Sequence, residues 1–221
     1  MGKLPGLPAT LGAEAKPIWA DIDNDNDADL IVGLENGHMR YFENTANTQN
    51  LLDSAAFTER TNTNNPFNDI DVGIGAAPAL IDLDNDGDLD TVVGERNGTL
   101  HYFENAGNNT SPSYTERADT DNPFNGIDVG YAAAPSLADL DNDNDLDLVV
   151  GERHGALHYF ENTGNATAPA FIQRVNRDNP FNGVDVGYAS TPNLIDLNVD
   201  GTLEALVGDF AGKLHYFEKT T

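Results

Sequence analysis

Apolar residues in this chain fall into short alternating segments and β-branched runs, and no stretch of useful length carries a helical period. One order of segments recurs. A proline opens a Pro-x-apolar-x-Asp segment at Pro17, Pro78, Pro135 and Pro192. An aspartate-rich stretch follows, then an apolar run ending in glycine (LIVG, TVVG, LVVG, ALVG). A two-residue turn signal comes next, at Asn36-Gly37, Asn97-Gly98, His154-Gly155 and Ala211-Gly212. After it MRYFEN, LHYFEN, LHYFEN and LHYFEK alternate again. Alternation of this kind predicts half-buried strands, and Asn-Gly between two of them predicts a tight hairpin. A fourth strand is expected around Phe57, Tyr114 and Phe171, ahead of a connector that begins NPFN.

The repeats set the architecture. The aspartate stretches start at Asp21, Asp82, Asp139 and Asp196, which are 61, 57 and 57 residues apart. Four short antiparallel strands repeated at this period predict an all-β fold, a β-propeller of four-stranded antiparallel blades with four repeats per chain. Residues 1–221 read as one propeller domain, with blades at 12–61, 62–118, 119–175 and 176–221. Two closures stay open: a closed four-bladed ring, with residues 1–11 as a closing strand on the last blade, or half of an eight-bladed homodimer.

Composition narrows the partners. At 39% hydrophobic the chain has no apolar run near the roughly 20 residues a bilayer needs, so membrane insertion is not expected. With 37 acidic against 11 basic residues, a formal charge of −26 makes nucleic acid an unfavourable partner and cations favourable ones. There is no cysteine, so disulfides and thiolate metal sites are excluded. The start, MGKLPGLPAT, has no apolar stretch of signal-peptide length and fits a mature segment of an exported protein.

The aspartates then ask for a counter-ion. Like charges a few ångströms apart repel, and folding alone does not recommend crowding them. Calcium takes six to eight oxygen ligands, and a tight loop offering carboxylates at positions 1, 3 and 5 with a carbonyl at 7 can wrap one face of it. Position 9 would close the shell. The candidate ligands are Asp21, Asp23, Asp25, Asp27 and Asp29 in loop 1, and Asp82, Asp84, Asp86, Asp88 and Asp90 in loop 2. Loop 3 offers Asp139, Asp141, Asp143, Asp145 and Asp147, and loop 4 offers Asp196, Asn198, Asp200, Thr202 and Glu204. Position 6 is Asn26, Gly87, Asn144 or Gly201, the two residue types that best tolerate a left-handed backbone. An EF-hand would place a bidentate Glu at position 12, where this chain has Val32, Val93, Val150 and Val207. Magnesium prefers to keep its waters, so about one Ca2+ per repeat, up to four, is expected, with loop 4 the weakest site.

The Asp-x-Asp-x-Asp-Gly-x-x-Asp loop followed by an apolar strand and glycine resembles the FG-GAP/VCBS repeat family, which is similar to the calcium-binding blades of integrin α-subunit propellers. The resemblance implies calcium on the loop between a blade's first two strands. It also implies extracellular or cell-surface proteins acting in adhesion, sugar binding or scaffolding. The family's propellers usually carry more blades than the four repeats present here.

The remaining residue types suggest no further chemistry. His101, His158 and His215 share one blade position, held by Arg40 in the first repeat, and read as strand residues. Glu95-Arg96 and Glu152-Arg153 are expected as surface ion pairs, Trp19 as core, and Phe67, Phe124 and Phe181 as packing between blades. An active site needs an asymmetric cluster of acid, base or nucleophile, and only repeated residues occur. The expected function is a non-enzymatic calcium-binding module serving as scaffold or adhesion surface for a protein or glycan ligand. A carbohydrate-binding propeller and a calcium-dependent polysaccharide lyase are the alternatives.

Overall fold

The computed structural model describes residues 5–46 and 56–218. They form a four-bladed β-propeller. Blade 1 holds β1 (Lys16–Ala20), β2 (Asp29–Gly33), β3 (Met39–Asn44) and β4 (Phe57–Arg60). Blade 2 holds β5 (Ala77–Ile81), β6 (Asp90–Gly94), β7 (Leu100–Asn105) and β8 (Tyr114–Arg117). Blade 3 holds β9 (Ala134–Ala138), β10 (Asp147–Gly151), β11 (Leu157–Asn162) and β12 (Phe171–Arg174). Blade 4 has three described strands, β13 (Thr191–Ile195), β14 (Glu204–Gly208) and β15 (Leu214–Phe217). Each sheet is an antiparallel meander in sequence order.

The register is the same in every blade. Val93 sits opposite His101 and Pro78 in blade 2, and Val150 opposite His158 and Pro135 in blade 3. The proline lies on the innermost strand, whose N–H side has no further strand to serve, the placement proline tolerates. The second strands of blades 1 to 3 are buried on both faces, which explains their unbroken β-branched runs.

Junctions between blades repeat as well. One face of a blade meets the connector and then the opposite face of the next blade. Between blades 1 and 2, Ile31, Met39 and Tyr41 pack on Phe67, Ile70 and Val72, which pack on Val93 and Phe103. Between blades 2 and 3, Phe124 stacks on Phe171 at 4.9 Å and meets Tyr102 edge-on at 6.2 Å. The NPFN phenylalanines are therefore interblade packing. The hairpin glycines permit the close approach: a Cβ on Gly98 would lie 2.6 Å from the Gly130 amide nitrogen, and Gly98 has φ +99°.

Several expectations are corrected. Residues 5–11 do not join the last blade; the Phe57 N–H donates to the Pro5 carbonyl, and Leu7 and Leu11 cover the outer face of blade 1. The start of the proposed closing strand, residues 1–4, lies outside the described residues. Trp19 is 43% exposed, leaning on Phe57 at the uncovered edge of blade 1. Arg96 pairs with Glu14 and Glu35 rather than Glu95, because the connector carries Glu14 to it. Arg153 lies between the rings of Tyr131 and Tyr188, while Glu152 is buried and accepts the His154 and Ala156 amides.

Candidate metal-binding loops

In every blade the aspartate loop joins the first strand to the second, so β1, β5, β9 and β13 carry the loops side by side. Each loop is wound by its own carboxylates. Asp82 accepts the amides of Asp86 and Gly87, and Asp86 accepts the amide of Asp88. Asp21, Asp139 and Asp196 do the same at positions 5 and 6 of their loops. The backbone is left-handed at position 6, as expected, and also at position 4, where Asn24, Asn85, Asn142 and Val199 have φ near +60°. Asparagine tolerates that conformation; a β-branched valine is strained by it.

The winding brings positions 1, 3 and 5 together. One oxygen from each of Asp82, Asp84 and Asp86 lies within 4.8 Å of the others, and the same holds for Asp21, Asp23 and Asp25 and for Asp139, Asp141 and Asp143. Burial, then the neighbouring aspartates, raises the carboxyls of Asp84, Asp88, Asp141 and Asp145 above their ordinary range. Asp23 is raised for the same reasons. At position 7 the side chains of Asp27, Asp88 and Asp145 are buried, so this position offers a carboxylate beside its carbonyl. One buried oxygen each of Asp23, Asp88 and Asp145 has no hydrogen-bond partner.

Position 9 anchors the loop to the rest of the blade. Asp90 accepts the Leu83 and Asn105 amides and the Tyr102 hydroxyl. Asp29 and Asp147 repeat the pattern with Ile22, Asn44 and Tyr41 and with Leu140, Asn162 and Tyr159. These carboxylates stand first in the second strand and tie the loop to the third. Burial pushes Asp29 up to about 7 and Asp90 and Asp147 up to about 6, against the hydrogen bonds that pull the other way.

Loop 4 is rebuilt. Its convergent acidic group is Asp196, Asp200 and Glu204, position 9 joining positions 1 and 5 in the loop whose position 3 is the uncharged Asn198. The Asn198 side-chain amide donates to Glu204, and the Thr202 hydroxyl donates to Asp200. Glu204 also accepts the Leu197 amide, the contact that Asp90 makes with Leu83.

Sequence reasoning passed over the Tyr-Phe-Glu-Asn residues that serve the loops. Tyr41, Tyr102 and Tyr159 hold position 9, and Glu43, Glu104 and Glu161 form bidentate pairs with Arg60, Arg117 and Arg174 on the fourth strand. The signal was present: the motif recurs at a fixed distance from each loop. At the neighbouring position His101 bonds Glu95 and Glu116, and His215 bonds Asp209, so these histidines link strand to hairpin or outer strand.

Residues 82–150, from the first aspartate of loop 2 into β10, match the FG-GAP-like repeat. This match and the four-bladed architecture fit an FG-GAP-like repeat family, and they support a repeat scaffold or interaction module. No curated protein sequence matches the chain. Among solved structures, one of the Photorhabdus luminescens Tc holotoxin pore is similar over 94% of this chain and 9% of its own, at 16% identity and a TM-score of 0.46. BBS1N in complex with ARL6DN, soaked with lead, is similar over 99% of this chain and 56% of its own, at 12% identity and a TM-score of 0.41. The chain thus spans less than two thirds of either. No helix among the described residues is long and apolar enough to cross a membrane.

Proposed function

We propose that the aspartate loops bind calcium and that the protein is a non-enzymatic interaction module whose blades are locked by the ions, working outside the cell. The carrying observation is a buried carboxylate oxygen without a partner beside a cluster of convergent carboxylates, found in three successive loops. Polar atoms left bare in a buried place cost stability, and a divalent ion supplies what they lack. In loop 2, Asp82, Asp84 and Asp86 with Asp88 would hold the ion, and Asp90 would orient the loop from behind it. Calcium of extracellular concentration, about millimolar, saturates even modest sites of this type. The symmetric distribution of the carboxylates supports binding rather than catalysis, which calls for distinct groups in one place.

Equilibrium dialysis against calcium tests this reading. The expected result is three tighter sites and one weaker site, with Asp86→Ala removing one of the tighter three. An unchanged stoichiometry in that variant, or no uptake at millimolar calcium, refutes it. A sugar-binding role draws on a separate observation, Tyr188 and the 77% exposed Phe210 meeting edge-on at 5.1 Å on the rim. Binding on a glycan array, lost in Phe210→Ala, would establish that role.

A further inference from the structure

The two ends of the propeller are halves of one junction. At the beginning, Leu30, Val32, Phe42 and Phe57 form a blade face that is already covered by a connector, residues 7–15, and among the described residues no blade packs on its far side. That connector is in register with the internal ones: the Glu35 N–H donates to the Ala13 carbonyl as the Arg96 N–H does to Ile74. At the other end, blade 4 presents the opposite kind of face. Leu214 and Tyr216 are 71% and 48% exposed, whereas their counterparts in blade 3, Leu157 and Tyr159, are each 4% exposed.

Blade 4 also keeps space that only a following blade would use. A Cβ on Gly94 or Gly151 would lie 2.2 Å from a carbonyl of the next connector, yet Gly208 meets only its own blade's Thr191 hydroxyl at 2.8 Å. Gly155 is crowded by the next connector at 2.6 Å, and Gly212 meets nothing within 4 Å. In blade 2 the hairpin carbonyls of Glu95, Arg96 and Gly98 accept the connector amides of Ala133, Ala132 and Val129. The equivalent carbonyls of blade 4 belong to Asp209, Phe210 and Gly212. The inner strands form neighbouring seams in the order β1, β5, β9, β13, and β13 forms no comparable seam with β1.

We propose that blade 4 of one copy docks onto the N-terminal connector and blade 1 of a second copy, and that two copies close reciprocally into an eight-bladed ring. The amides of Leu11, Glu14 and Ala15 meet the carbonyls of Gly212, Phe210 and Asp209 across each new junction, as in the three internal ones. Tyr216 and Leu214 then pack on the Leu7 and Leu11 surface. A junction between unlike faces closes when the rotation it imposes completes a circle, and two such junctions do so about a two-fold axis. Eight blades lie within the range propellers adopt, and closure hides the two end faces that radial repeats otherwise expose.

Light scattering on the chain, in about 150 mM salt to screen its −26 charge and with and without millimolar calcium, tests the inference. The expected mass with calcium is twice 23.7 kDa, about 47 kDa. Tyr216→Asp and Leu214→Asp, each at a side chain exposed in the single copy, should return the mass to 23.7 kDa with an unchanged circular dichroism spectrum. Ile172→Asp, an equal charge change at a 49% exposed position on blade 3, should leave the doubled mass in place. A wild-type mass of 23.7 kDa, which would mean closure within one chain or none, overturns the proposal. So does an open series of larger masses, or a doubled mass that survives both variants. Calcium uptake is read separately by dialysis, so failure of the ring and failure of the metal reading are distinguishable.

Discussion

The loops of blades 2 and 4 share positions 1, 2, 5, 6 and 8, Asp82, Leu83, Asp86, Gly87 and Leu89 against Asp196, Leu197, Asp200, Gly201 and Leu203, and differ at positions 3, 4, 7 and 9. In blade 2 the ninth position is an aspartate held by two amides and a tyrosine hydroxyl, and a following blade buries the sheet behind it. In blade 4 a longer glutamate joins the carboxylate cluster, valine occupies a left-handed position, and the tyrosine equivalent to Tyr102 is half in solvent. Local sequence winds both loops alike. What stiffens loop 2 is the blade next door, which seals Tyr102 against Phe124 and so fixes the donor to Asp90.

The contrast breaks most sharply at the junctions. Phe124→Ala removes a ring that is 1% exposed and stacked on a second aromatic, and it should cost about 3–5 kcal/mol. Phe210→Ala, on the open rim, should cost no more than about 0.5 kcal/mol. Urea unfolding of the two variants measures the difference. Next comes Asp90→Ala, which leaves the buried Asn105 amide and Tyr102 hydroxyl without an acceptor. A loss of about 2–4 kcal/mol is expected, together with weaker calcium uptake in blade 2 alone.

Protonation sharpens the same comparison. Asp29, Asp90 and Asp147 bind protons more tightly folded than unfolded, where an aspartate titrates near 4, so each stabilises the fold while protonated. That stability is present below about pH 4 and is lost as pH rises through about 6 to 7. The metal-free protein should therefore melt several degrees lower at about pH 7.5 than at about pH 5, and millimolar calcium should flatten the trend. A melting temperature that rises with pH in EGTA would contradict the assignment. The smallest effect belongs to loop 4: Val199→Asn restores the residue of the other loops at φ +60° and should stabilise by about 1 kcal/mol. Thermal unfolding with calcium present reads it out.

Strands, turns and the convergence of the aspartates are local events, and the sequence determined them. Alternation set the strands, Asn-Gly and His-Gly set the hairpins, and the two-residue spacing of carboxylates brought positions 1, 3 and 5 onto one side of a tight loop. The NPFN phenylalanines were legible as packing because they recur once per junction. The anchoring contacts of position 9 were not legible because they depend on a tyrosine and an asparagine in the third strand, whose reach appears only once the strands pair. The partner of Arg96 was hidden for a similar reason, since Glu14 arrives from a connector 82 residues away. Only the tertiary structure decided which blade faces are covered. Blades 2 to 4 carry the same Leu-x-Tyr face and blade 1 a Met-x-Tyr face, and whether that face is buried depends on what stands beside it in space, a relation that no window of the sequence contains.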